Sequence, residues 1–233
     1  MWHAIPNIVN ICSYGVWSNR MYTFEGDGQE TMFMESFPEH PVQHCNILFV
    51  TDNDDLTIPT DIRYEYNNCS VYVSSDKLPN TFSNSLSIVT YPYRIKPGEP
   101  LREDLFADIP LNKSRDVSLI TLLSFFVRRY RMTSMVINTK DAHKLVPMFF
   151  SDGSMEESRL ITCQLNIAYP KPTTYEEKQD FRTAWERLVG DRYYLVRQAS
   201  RTKDTLNLFL VNIVNPICWQ LYVALDLPTT ETF

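Results

Sequence analysis

Apolar and polar residues alternate with a period near two over much of this chain, and strands are the first expectation. In the first hundred residues TMFMESF, NILFVT, DIRYEY, CSVYVSS and LSIVTYPYRI carry the pattern. Within CSVYVSS, Val71 and Val73 share one face and Tyr72 takes the other. EGDGQE, TDNDDL and SSDKLPN separate them and are rich in turn formers. Further on, TSMVINT, KLVPMFF, RLITCQLNIAY, RYYLVRQ, TLNLFLVNIV and CWQLYVALDL extend the series.

Two segments change to helical spacing. In SRDVSLITLLSFFVRRYR, residues 114–131, Leu119, Ile120, Leu123, Phe126, Val127 and Tyr130 recur at intervals of three and four. Ser114 is the expected cap, with Arg115 and Asp116 in the first turn. In TTYEEKQDFRTAWERLVG, Thr174 and Glu177 form a capping box, and Phe181, Ala184, Trp185 and Leu188 make the buried stripe. Gly190 suits its end. Many strands and two helices, antiparallel by composition, predict a mainly β, two-sheet antiparallel sandwich of jelly-roll type. One domain over 1–233 is expected, with an extended N-terminal region and a long loop or internal boundary near 96–113, opened by KPGEP.

Composition narrows the function classes. At 44% hydrophobic and 21% charged the chain is globular rather than disordered. Its six glycines argue against a nucleotide-binding fold, which places glycine at tight phosphate-binding turns. Residues 1–100 carry five Lys or Arg against twelve Asp or Glu, and the remainder is nearly balanced, so no broad nucleic-acid platform is expected. The apolar run before Arg128 is too short for a bilayer, which needs about twenty residues, so no membrane span is expected. The opening MWHAIPNIVNICSYGVW lacks a basic n-region, and Trp2 stands where a myristoyl anchor needs glycine.

Five widely spaced cysteines point to reduced, buried thiols in a reducing compartment. On that reading the sequons at Asn68 and Asn112 are chance matches.

Catalytic patterns are missing from the sequence. His3, His40, His44 and His143 include no HExxH pair, and no GxSxG elbow or P-loop occurs, so the chain is not expected to be an enzyme. HPVQHC brings His40, His44 and Cys45 close together without a further zinc ligand nearby. Asp52, Asp54 and Asp55 in DNDD are the best cation candidates and would suit calcium, although EF-hand spacing is absent and an Asx-rich turn explains the same residues. Otherwise no cofactor is expected. Arg128, Arg129 and Arg131 suit a helix C-terminus, or contact with a partner or RNA phosphate. Trp2, Tyr14, Trp17, Tyr22, Phe24 and Phe33 crowd the first thirty-three residues and are candidates for an interface, if they do not complete the chain's own core.

Two passages carry a family resemblance. EDLFADIPLNKSRDVSLITLLSFFVRRYR, through Ser118, Leu122, Leu123, Arg128, Arg129 and Tyr130, resembles the helix preceding the jelly roll in capsid proteins of picorna-like RNA viruses of insects. NILFVTDNDDLTI, residues 46–58, is similar to the closing strand and acidic turn of such subunits. The resemblance implies a structural subunit of an icosahedral virion, assembled in the host cytoplasm with other copies of itself and related subunits around genomic RNA. The alternative expectation is a non-catalytic binding module, such as a surface projection engaging a host protein or glycan.

Overall fold

The computed structural model describes residues 2–13, 20–26, 29–78, 82–83, 88–97, 116–191, 193–202 and 204–223. Their centre is an eight-stranded mixed sheet in the spatial order β11-β12-β10-β9-β3-β4-β6-β5. Five neighbouring strands run parallel: β10 (Ile161–Pro170), β9 (Arg131–Asn138), β3 (Cys45–Thr51), β4 (Cys69–Ser74) and β6 (Ile88–Tyr91). Antiparallel strands finish both sides, with β12 (Thr205–Asn212) and β11 (Tyr194–Arg201) beyond β10 and the short β5 (Phe82–Ser83) beyond β6.

The chain builds outward from β3 in one direction through β4 and β6, then returns to lay β9 and β10 on its other side. Numbered along the chain, the parallel strands stand 3-2-1-4-5, the order of a doubly wound α/β sheet.

Both faces are covered. On one, α1 (Ile5–Ser13), α3 (Leu119–Thr121), α4 (Ala142–Leu145), α5 (Ser154–Glu157) and α6 (Tyr175–Asp191) pack on Leu48, Val50, Met135, Ile137, Leu165 and Leu208. On the other lie α2 (Thr57–Glu65), α7 (Pro216–Tyr222) and the hairpin of β1 (Met21–Gly26) with β2 (Gln29–Met34), over Ile47, Phe49, Val71, Val73 and Phe209. A last pair, β7 (Arg94–Lys96) with β8 (Asp116–Ser118), is parallel and separate from the main sheet.

The expected antiparallel jelly-roll sandwich is therefore corrected to a mixed α/β fold. All seven residues of β3 are buried, which a strand achieves only inside a sheet covered on both sides. Three expected strands are helices instead. DIRYEY lies largely in α2, KLVPMFF in α4 and the 3-10 turn Val146–Phe149, and the start of CWQLYVALDL in α7. Proline marks each of these elements early, where its missing N–H is least harmful: Pro59, Pro147 and Pro216. Asn215 completes the start of α7 by accepting from the N–H groups of Ile217 and Cys218.

The segment 114–131 also differs from expectation. Asp116–Ser118 is drawn into β8, so Ser118 becomes the cap and accepts from Thr121 N–H at 3.1 Å. After one α-helical turn the backbone widens to a π-helix over Leu122–Val127 and stops at Arg128, in the left-handed region at φ 54°. Leu119, Ile120, Leu122, Leu123 and Val127 are buried, whereas Tyr130 falls outside the stripe and is exposed. Ser114, Arg115 and most of the expected 96–113 boundary lie outside the described residues. The second helix keeps its box: Glu177 accepts from Thr173 and Thr174 N–H and returns its own N–H to Thr174 Oγ1. Those hydrogen bonds, from Thr174 first, hold the Glu177 carboxyl at about 2. No helix among the described residues is long and apolar enough to cross a membrane.

Side-chain amides stand in for backbone at two places. On β10, Asn166 Oδ1 accepts from Met32 N–H at 2.8 Å while its Nδ2 donates to Met32 carbonyl at 2.9 Å. Gln164 does the same for Met34, at 2.9 and 2.7 Å. Strand β2 is thus hydrogen-bonded across a sheet face, where no ladder reaches. At the β11 edge, Asn10 of α1 pairs with both N–H and carbonyl of Ala199 at 3.1 and 3.0 Å. Gln164→Ala should lower the stability to urea unfolding by about 3 kcal/mol, because it leaves the buried N–H and carbonyl of Met34 unpartnered. A cost below about 1 kcal/mol would mean that the hairpin is held by packing alone.

The expectation of reduced thiols is corrected as well. Cys45 and Cys69, paired in register at the starts of β3 and β4, form a disulfide, and Cys163 of β10 is bonded to Cys218 of α7. By loop-closure entropy, each stabilises the fold by about 3–4 kcal/mol. Alkylation of the denatured, unreduced protein should label no more than one cysteine by mass, and reduction should lower the unfolding temperature. Labelling of all five would contradict both bonds.

Candidate functional site

In an open parallel sheet the carboxyl ends of the strands form a crevice where the order of connection reverses. Here the reversal falls between β3 and β9. β3 runs out into Thr51, Asp52 and Asn53, and β9 into Asn138, Thr139 and Lys140. A cavity of about 190 Å³ opens between these ends, continued by Ala168 and Pro170 at the end of β10 and Thr205 at the start of β12. A smaller recess of about 30 Å³ lies beside it, reaching Thr31, Asp55 and Ile58.

Backbone geometry ties the two loops together. Asp52 N–H donates to Asn138 carbonyl at 3.3 Å, and Lys140 N–H donates to Asp52 Oδ2 at 2.8 Å. Thr51 Oγ1 donates to Asn53 Oδ1 at 2.9 Å and accepts from Asn53 N–H at 3.2 Å. The crevice therefore has a hydrogen-bonded floor and is lined by Asp52 and Lys140 together with amide and hydroxyl residues.

The aspartates of DNDD have separate duties. Asp52 holds the β9 loop, and Asp54 is exposed. Asp55 accepts from Thr57 N–H at 2.9 Å and Thr57 hydroxyl at 2.6 Å, opening α2 from just before its first turn. The Thr57 hydroxyl, then its N–H, holds the Asp55 carboxyl below the usual carboxylate range. Among the described residues no three His, Cys, Asp or Glu side chains come together to hold a metal ion.

The aromatic candidates divide. Trp2 is buried against Phe181 with ring centroids 5.0 Å apart, and Phe33 packs on Tyr66 at 4.6 Å, both inside the chain's own core. Phe24 leans on the same core, and Tyr22 is 41% exposed. Tyr14 and Trp17 lie outside the described residues. Arg128 and Arg129 do serve the end of the π-helix, donating to the carbonyls of Phe125 and Arg128.

Lys140, Asn138 and Thr139 were not singled out from sequence. Their signal was present: VTDND after β3 and INTKD after β9 are both apolar runs ending abruptly in Thr, Asn and Asp.

The fold and crevice place the chain in the class of doubly wound α/β domains with a polar switch-point cleft. No protein-family model matches the chain, and neither does any curated protein sequence. The resemblance to insect picorna-like capsid proteins is overturned by these comparisons and by the fold. With it fall the capsid-subunit function and the picture of icosahedral assembly, since NILFVTDNDDLTI is a central parallel strand and its crossover rather than the closing strand of a jelly roll.

Asp55→Ala should destabilise the protein by about 1 kcal/mol, the usual cost of losing a helix-start acceptor. Because the carboxyl titrates lower in the folded state, its contribution is complete above about pH 4. That contribution is lost as pH falls through the lowered value. A wild-type minus Asp55→Asn stability difference that stays flat from pH 6 to pH 2 would refute this role.

Proposed function

We propose that this chain is a non-catalytic binding domain that takes a small polar solute at the crevice between β3 and β9. The observation carrying this reading is that Asp52 and Lys140, joined through the Lys140 backbone N–H, both line one cavity of about 190 Å³ on the strand ends where doubly wound sheets bind ligands. Lining residues of opposite charge beside amides and hydroxyls complement a zwitterion of amino-acid size better than an apolar ligand. The hydrogen-bonded state of Thr51 and Asp55 supports a binding rather than a catalytic role, because both hold loops in place. The two disulfides favour maturation in an oxidising compartment over the host cytoplasm expected from sequence.

Thermal unfolding in the presence of individual amino acids and hexoses tests the reading. At least one zwitterion should raise the unfolding temperature saturably, and Asp52→Ala or Lys140→Ala should weaken that effect at least tenfold. If no amino acid shifts the transition at millimolar concentration, the reading fails.

A further inference from the structure

The opposite end of the sheet carries a second cavity, of about 520 Å³. It is built from the amino ends of three parallel strands: His44, Cys45 and Asn46 at β3, Asn68 and Ser70 at β4, and Arg129 and Arg131 at β9. Among the described residues no carboxylate lines it. Among the described residues neither Arg129 nor Arg131 takes part in an ion pair, and the Arg131 guanidinium makes no hydrogen bond.

Asn46, 7% exposed, ties both arginines to the start of β3, Arg129 through its side chain and Arg131 through its backbone. Its Oδ1 accepts from Arg129 Nε at 3.3 Å, its Nδ2 donates to the Arg131 carbonyl at 3.4 Å, and its own N–H is fixed to Thr133 Oγ1 at 3.0 Å. The left-handed Arg128 makes the corner that returns the chain from the π-helix into β9, so Arg129 and Arg131 stand two residues apart on the cavity wall. The Cys45–Cys69 disulfide clamps β3 to β4 at the same level. Two arginines lining a recess with amide and hydroxyl groups are matched by a ligand with several acceptor oxygens and more than one negative charge.

We infer that this cavity is an anion site for a small divalent oxyanion, phosphate or sulfate, free or as the terminal group of a larger molecule. It is separate from the crevice between β3 and β9 and does not depend on that crevice binding anything. Attraction comes from Arg129 and Arg131, against an overall charge of −6, so binding weakens as salt rises.

Titration of the full-length, disulfide-intact protein with inorganic phosphate, and separately with glucose 6-phosphate, by calorimetry in low-salt chloride buffer tests the site. Saturable binding is expected for the wild type. Arg131→Gln should weaken it at least tenfold, and Ser70→Asp, an exposed change at the cavity wall, should do the same by repulsion. Lys178→Gln, on the exposed face of α6 and outside the cavity, should stay within twofold. Equal affinity for the two probes assigns the site to the free anion, and tighter binding of the sugar phosphate assigns it to a terminal group. Unfolding temperatures of the ligand-free variants separate loss of the site from loss of the fold, and Ser70→Asp carries the test if Arg131→Gln unfolds. Absence of saturable binding for both probes, or wild-type affinity in both cavity variants, overturns the inference.

Discussion

The five parallel strands are covered on both faces, and that constraint decides where the sheet leaves cavities. A buried sheet presents no open surface, so solvent reaches it only at the ends of its strands. At the carboxyl ends, the reversal of connection between β3 and β9 parts two loops and leaves a polar cleft. At the amino ends, the clamp between Cys45 and Cys69 and the corner at Arg128 enclose a second recess with two arginines. The two cavities differ in character, one lined by Asp52 and Lys140 and the other by two arginines, because different loops close the sheet at its two ends.

Covering the second face takes more than helices. The β1–β2 hairpin lies over β10 and β12, and its inner strand needs partners for N–H and carbonyl groups that point at a sheet face. Gln164 and Asn166 supply them from within β10, where an apolar pair would leave Met32 and Met34 unsatisfied. The hairpin in turn brings Thr31 to the smaller recess beside the cleft. A buried amide pair on the sheet thus links the packing of one face to the shape of the candidate site.

Several local features could be read directly. Thr174 and Glu177 form the expected box because capping depends on neighbours in sequence, and Phe181, Ala184 and Leu188 bury the expected stripe. NILFVT, TSMVINT and TLNLFLVNIV are strands, as β-branched and apolar runs predict. By contrast, the scarcity of glycine, taken as evidence against a nucleotide-binding fold, gave no pointer to the doubly wound strand order. The turn after β3 is made by Asp, Asn and Thr hydrogen bonds, which do the work elsewhere given to glycine. The cysteines misled for a related reason: 24 and 55 residues separate the bonded partners, so spacing does not reveal that strands and a helix bring them together.

By itself the sequence determined which segments are apolar enough to enter a core, where the α6 cap sits, and that the run before Arg128 cannot span a bilayer, because each depends on residues close together in the chain. Only the tertiary structure decided that β3, β4, β6, β9 and β10 lie parallel, since a strand buried on both faces has the same local pattern whichever way its neighbours run. It alone also joined Asp52 to Lys140 and Arg129 to Asn46 across more than eighty residues, because such pairings are set by strand order, which short-range periodicity does not encode.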